Sequence, residues 1–267
     1  MVKKIGLIAG NGRFPFLVAE EIKKRGEQCI TVAIKEETDP ALENIADKII
    51  WVSLGQFQKL IDTFHSENIS TALMVGQVKH AQLFAGLKFD LRTVKLLASL
   101  KNKKTDTVLG AFVKELEKEG IKLLPSHEYL KHLLPKPGLI CGKKLNRQEK
   151  ADVEFGHRIA KSIAGLDIGQ TIAVKDKVVL AVESIEGTNE CIKRASKYAG
   201  ENVIVIKVVK PDQDWRFDLP VIGPDTIIIL SENKARAMVV DAGATLMIEK
   251  EKMLDMAKKS SITILAV

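Results

Sequence analysis

Short apolar runs alternate with amphipathic segments along the first half of this chain, and that alternation constrains its folding more than any other feature. Residues 5–9, 29–34, 48–52, 71–75 and 121–124 are apolar runs of strand length. Between them, residues 14–25, 56–65, 91–100 and 106–119 repeat their apolar positions with the helical period, as at Phe14, Leu17, Val18 and Ile22. A strand followed by a helix that returns to a parallel strand builds a mostly parallel sheet covered by helices.

Leu134-Pro135-Lys136-Pro137-Gly138 interrupts any regular element and reads as a linker. Beyond it the pattern starts afresh. A helix is expected over 147–163, a hairpin pairing 172–174 with 178–185, and a helix capped by Thr188 that closes near Gly200. A strand follows over 203–209, then short strands at 237–240, 245–248 and 262–266, with a helix over 250–259. The 267 residues suit two domains of ordinary size. The expected fold is two α/β domains, residues 1–134 and 135–267, the first Rossmann-like with a mostly parallel sheet, joined by the Pro/Gly-rich linker.

Composition excludes several classes. No apolar run reaches the roughly 18 residues that span a bilayer. The three cysteines, Cys29, Cys141 and Cys191, are far apart and fit a reducing cytoplasm, and no Cys-x-x-Cys or His-x-x-x-His pair marks a zinc site. The net charge of +7 suits phosphorylated metabolites or an anionic membrane surface. Nucleic acid is disfavoured, because the cations interleave with acids along helices and aromatics make up only 5%.

Gly10-Asn11-Gly12 separates the first strand from the first helix, where a phosphate meets free N–H groups, although a plain tight turn has the same pattern. The dinucleotide fingerprint needs a glycine at position 15, which is Pro15, so an NAD(P)-linked oxidoreductase is disfavoured. Gly76 and Gln77 end a central strand, a place where open α/β sheets bind ligands. Glu183 and Glu186, followed by Gly187 and Thr188, lie at a strand end, and an inward Glu183 needs a cation or metal. Asp106 is expected to cap the fourth helical segment.

The segment Lys207–Pro224 holds three carboxylates, three cations and three prolines. If 212–219 is extended, Trp215, Phe217 and Leu219 share one face, and Asp212, Asp214, Arg216 and Asp218 share the other. Carboxylates beside an arginine suit a magnesium ion and a phosphate together. An irregular loop with solvated charges is the competing interpretation.

These residues also carry a family likeness. Residues 5–15 (Ile-Gly-Leu-Ile-Ala-Gly-Asn-Gly-Arg-Phe-Pro), Leu166-Asp167-Ile168-Gly169-Gln170, Ala181-Val182-Glu183 with Glu186-Gly187-Thr188, and Lys210-Pro211 with Arg216-Phe217-Asp218-Leu219-Pro220 and Gly223 resemble the LpxI-type UDP-2,3-diacylglucosamine pyrophosphatases almost end to end. The resemblance implies magnesium-dependent hydrolysis of UDP-2,3-diacylglucosamine to UMP and 2,3-diacylglucosamine 1-phosphate (lipid X) in lipid A biosynthesis. It implies a cytoplasmic enzyme peripheral to the inner membrane, and leaves a homo-oligomer open. It places the critical aspartate at Asp218, which would bind magnesium or orient water; the acidic face of 212–219 adds Asp214 as a second candidate metal ligand. Arg216, Lys207 or Lys210 would neutralise phosphate. Gly10, Asn11, Gly12, Gly76, Gln77, Glu183, Glu186, Gly187, Thr188 and Gln213 would contact substrate. The non-enzymatic alternative is a protein that binds an acylated sugar nucleotide without turnover.

Overall fold

A computed structural model describes residues 2–78, 89–102, 104–217 and 219–267. These gather into two compact units, Met1–Leu130 with Asp214–Asp218, and Lys131–Gln213 with Leu219–Val267.

The first unit is built on β1 (Lys4–Ala9), β2 (Gln28–Ile34), β3 (Lys48–Val52), β4 (Thr71–Val75) and β5 (Lys122–Leu123), in the order β3-β2-β1-β4-β5. Every pairing is parallel, in register from Lys4 with Gln28 and from Gly6 with Ala72. β1 and β2 are buried along nearly their whole length, which is why they read as unbroken apolar runs and not as alternating ones. Helix α1 (Phe14–Lys24) takes Pro15 in its first turn, where the missing N–H costs nothing. Helix α2 (Phe57–Ser66) buries Phe57, Leu60, Ile61 and Phe64 at i, i+3, i+4 and i+7. Each such side chain contributes roughly 1.5–3 kcal/mol. Asp90 caps α3 (Leu91–Ala98) through Thr93 N at 2.8 Å and accepts from Gln58 N at 2.7 Å, so one carboxylate ties together the starts of two helices. Helix α4 (Thr105–Lys118) starts from Lys104. Asp106 is therefore not its cap but lies in its first turn, where the helix dipole favours an acid.

The second unit carries a six-stranded mixed sheet, β6-β13-β11-β9-β7-β8. Its centre is parallel: β9 (Ile204–Lys207), β11 (Ala237–Val240) and β13 (Thr263–Ala266). The expected hairpin of β7 (Thr171–Lys175) and β8 (Val178–Val182) pairs antiparallel with β9, and β6 (Gly138–Cys141) runs antiparallel on β13. Sequence reasoning overlooked β6, which begins on the last residue of the Pro-Lys-Pro-Gly stretch. Helix α5 (Arg147–Gly165) opens with a capping box between Asn146 and Glu149. Helix α6 (Thr188–Ala199) has Gly187 as its N-cap, so Thr188 is its first residue and not the cap. Helix α7 (Pro224–Glu232) was also overlooked. Gly223-Pro224 looks like a breaker, yet proline fits a first turn. A small parallel pair of β10 (Val221–Ile222) with β12 (Leu246–Met247), and α8 (Lys250–Lys259), complete the unit. Among the described residues no helix is long and apolar enough to cross a membrane.

Candidate functional site

The glycine motifs of the first unit meet at one point. β1 has β2 on one side and β4 on the other, so the connections leave it in opposite directions, and ligands of open α/β sheets lie in the crevice at such a reversal. There Asn11 N donates to Gln77 O at 2.8 Å and Gln77 N to Asn11 O at 3.0 Å, while Gly10 N reaches Val75 O at 2.9 Å. A Cβ on Gly10 would lie 2.6 Å from Gln77 O, and one on Gly76 would lie 2.8 Å from Asn11 O. Gly76 also holds φ at +92°, open to glycine without strain. The two loops thus brace each other through backbone. Gly12 lies beyond the bridge with open space on its Cβ side. Asn11 Nδ2 donates to Glu37 Oε2 at 3.4 Å, a carboxylate only 6% exposed. The structure brings together Gly10, Asn11, Gly12, Gly76 and Gln77.

Trp215, Arg216 and Phe217 form a turn rather than the extended strand considered above. Ser126 N donates to Trp215 O at 2.7 Å, the Trp215 ring stands edge-on to His127 with centroids 5.5 Å apart, and Phe217 packs on the apolar core of the first unit. Arg216 donates through Nε and Nη2 to the two oxygens of Asp214, at 2.9 and 2.7 Å, and through Nη1 to Glu117 Oε1 at 2.9 Å. Its backbone N–H also reaches Asp214 Oδ1 at 3.1 Å. The guanidinium hydrogen-bonded to Asp214 holds that carboxyl below the ordinary range. Asp218 lies outside the described residues.

In the second unit the C-terminal ends of β8, β9 and β11 collect polar groups on one edge. Glu183 follows β8. Its Oε1 accepts from Thr188 Oγ1 at 2.7 Å and its Oε2 from Gln170 N at 3.2 Å. Lys207 ends β9 and donates from Nζ to Thr188 Oγ1 at 2.9 Å. The expected need of Glu183 for a charged partner is thus met by a hydroxyl and a backbone N–H. Glu186 is exposed and pairs with Arg194, away from that chain of bonds. Gly187 has φ +85° as it leads into α6. Lys210 Nζ lies 2.8 Å from Asp167 Oδ1, and its backbone N donates to Gln213 Oε1 at 2.9 Å.

Sequence reasoning missed a second charged group on the same edge. Asp241 follows β11 and its side chain is 8% exposed. Its Oδ1 lies 2.7 Å from His157 Nε2, and its Oδ2 accepts from Lys161 Nζ at 2.6 Å and from Val209 N at 2.8 Å. Burial raises its pKa, but Lys161, the Val209 N–H and His157 outweigh burial, so the carboxyl sits below its ordinary value. His157 and Lys161 are four apart on α5, hence on one face. That spacing is the only sequence signal, and it does not point to Asp241.

Both oxygens of Asp214 accept from Arg216, so this carboxylate stands here as an ion-pair partner. Among the described residues no three His, Cys, Asp or Glu side chains gather into a group able to hold a metal.

The sequence matches the LpxI N-terminal domain over residues 4–133 and the LpxI C-terminal domain over residues 136–265. A protein of Caulobacter vibrioides named UDP-2,3-diacylglucosamine pyrophosphatase LpxI is 29% identical over 282 residues, spanning 100% of this chain and 98% of that protein. Solved structures are far more distant. Biotin carboxylase of Campylobacter jejuni is 15% identical with a TM-score of 0.30, over 74% of this chain and 42% of that one. N5-carboxyaminoimidazole ribonucleotide synthetase of Thermotoga maritima is 19% identical with a TM-score of 0.27, over 65% and 34%. The chain therefore spans less than half of these two structures, and likeness at that level carries no functional argument.

Proposed function

The chain belongs to the LpxI family, and we propose that it hydrolyses the diphosphate of UDP-2,3-diacylglucosamine to UMP and 2,3-diacylglucosamine 1-phosphate, lipid X, in lipid A biosynthesis. The observation that carries this is the match of both family domains, in order, over residues 4–133 and 136–265. A relative matched over 98% of its own length that bears this activity in its name supports it.

In the proposed reaction the oxygen of water forms a bond to one phosphorus, the bond from that phosphorus to the bridging oxygen breaks, and the bridging oxygen keeps the electron pair. One water is consumed and two phosphate monoesters leave, with the proton of water released to solvent or a base. Such chemistry depends on neutralising phosphate charge and orienting the attacking water. We assign the orientation of water, or the holding of magnesium, to Asp218. Asp218 would hold the magnesium ion, which would supply charge neutralisation at the diphosphate when bound. Arg216 is assigned a positioning part. Its bonds to Asp214 and Glu117 fix the turn two residues before Asp218. The Gly10–Gly12 and Gly76–Gln77 loops are proposed to receive the nucleotide part, because they frame the strand reversal of the first sheet.

The substrate's acyl chains make the inner-membrane surface the proposed place of encounter, and a net charge of +7 suits an anionic bilayer. The deciding experiment incubates the protein with UDP-2,3-diacylglucosamine and magnesium and follows UMP. Release of UMP, abolished by EDTA, is expected. Tight binding without any release would instead identify a carrier of acylated sugar nucleotides.

A further inference from the structure

The lysines along the polar edge of the second unit differ in what they hold. Lys161 is bound to Asp241 and Lys210 to Asp167. Lys207 is partly buried, yet among the described residues no carboxylate oxygen lies within 4.0 Å of its Nζ. Its bond runs to Thr188 Oγ1, whose own proton is committed to Glu183 Oε1. The Thr188 lone pair is thereby turned toward the ammonium, and Lys207 is aimed by a relay fixed at its far end by Gln170 N. An ammonium has three protons, and the hydroxyl takes one. Removing such a cation from water without a counter-ion is unfavourable, and a phosphate oxygen relieves that cost. The position is also apt. Lys207 ends a central parallel strand, paired with Val240 on one side and Thr171 on the other. The arginine expected for this task is engaged on three sides by Asp214 and Glu117.

We infer that Lys207 is the side chain that binds the diphosphate, with Thr188 and Glu183 as positioning residues behind it. The ligand class rests on the diphosphatase reading above; the cation's availability does not.

The test compares wild type, Lys207→Met, Lys207→Arg and Thr188→Val. Calorimetry with inorganic pyrophosphate gives affinity, and UMP release gives turnover. Lys207→Met keeps the length and removes the charge, and is expected to weaken pyrophosphate binding roughly 10- to 100-fold, the worth of a hydrogen bond to a charged group. Lys207→Arg restores the charge and recovers most of that loss. Thr188→Val keeps the charge but releases its aim, with a loss of roughly 3- to 10-fold. Circular dichroism checks folding; if the Met variant does not fold, Lys207→Gln takes its place. Wild-type turnover together with undiminished pyrophosphate binding in Lys207→Met overturns this inference alone. Pyrophosphate binding that depends on Lys207 in a protein without turnover keeps the anion site and overturns the diphosphatase reading. Neither binding nor turnover in wild type overturns both.

Discussion

Replacing Asp241 by Asn tests whether the buried charge at the end of β11 holds the second unit together. Asn keeps the size but loses the charge, and it presents an NH2 where one of two cationic or imidazole partners now meets an oxygen. Breaking a buried ion pair from one side costs about 3–5 kcal/mol. Lys161 and His157 are 34% and 31% exposed, so water re-solvates part of what they lose, and a cost of roughly 2–4 kcal/mol is expected. The melting midpoint should fall by about 5–15 °C. The pH arm fixes the sign. The folded carboxyl titrates below its unfolded value of about 3.9, so its contribution is present above that pH and is lost as pH falls through the folded value. Urea denaturation of both proteins at pH 7, 5, 4 and 3 should give a gap that is constant from 7 to 5 and closes below about 4. A gap under about 0.5 kcal/mol at pH 7, or one that widens on acidification, would falsify the reasoning.

Asp218→Ala should lower UMP release at least roughly 100-fold, as loss of a group acting on the transition state does, with the melting midpoint unchanged. Retained turnover sinks its assignment. Gly76→Ala places a Cβ 2.8 Å from Asn11 O at φ +92° and should destabilise by about 2–3 kcal/mol in thermal melts, whereas a neutral outcome contradicts the loop bracing. Arg216→Met should lower kcat while leaving pyrophosphate affinity within about threefold, and a larger loss of affinity makes Arg216 a phosphate ligand after all. Burial pushes the Cys29 thiol up to about 11 and the Cys191 thiol up to about 12, so neither forms thiolate at pH 8. Iodoacetamide should label native protein at neither residue, and at both after denaturation.

The parallel sheet of the first unit is legible because β1, β2 and β4 are buried on both faces and give apolar runs that periodicity cannot mistake for solvated helix. Helix α2 is legible because only one stripe of it is buried. The two-residue β10 carries no periodicity at all, and although a strand is expected over 245–248, the pairing of β10 with β12 joins positions 25 apart. Local chemistry defeated other expectations. The alternation of 212–219 predicts a strand, but the Asp214 carboxylate captures the backbone N–H and the guanidinium of Arg216 and closes a turn. Thr188 has the right side chain for a cap, but the helix already begins on it with Gly187 as the N-cap, and its hydroxyl is turned to Glu183. The Gly10 and Gly76 loops could be placed because glycine at a strand end is a local signal. Asp241 could not, because its partners Lys161 and His157 lie 80 and 84 residues away in the chain.

Density of charge in a sequence and availability of charge in a structure are different quantities. The segment around Arg216 draws attention because acids and bases crowd it, yet its cations are already engaged, Arg216 by Asp214 within the segment and by Glu117 outside it, and Lys210 by Asp167. Each such pair has already gained most of the electrostatic energy open to it, so a phosphate arriving there must first break a bidentate contact. Lys207 stands at the edge of the same segment, followed by two valines, and looks the least distinctive of its cations. Among the described residues its ammonium meets a hydroxyl rather than a carboxylate. For a site that must bind an anion and release anionic products, a cation aimed by a neutral group is the better instrument. It offers attraction with no competing counter-ion among the described residues, and the Thr188 hydroxyl is there to receive it when the product departs.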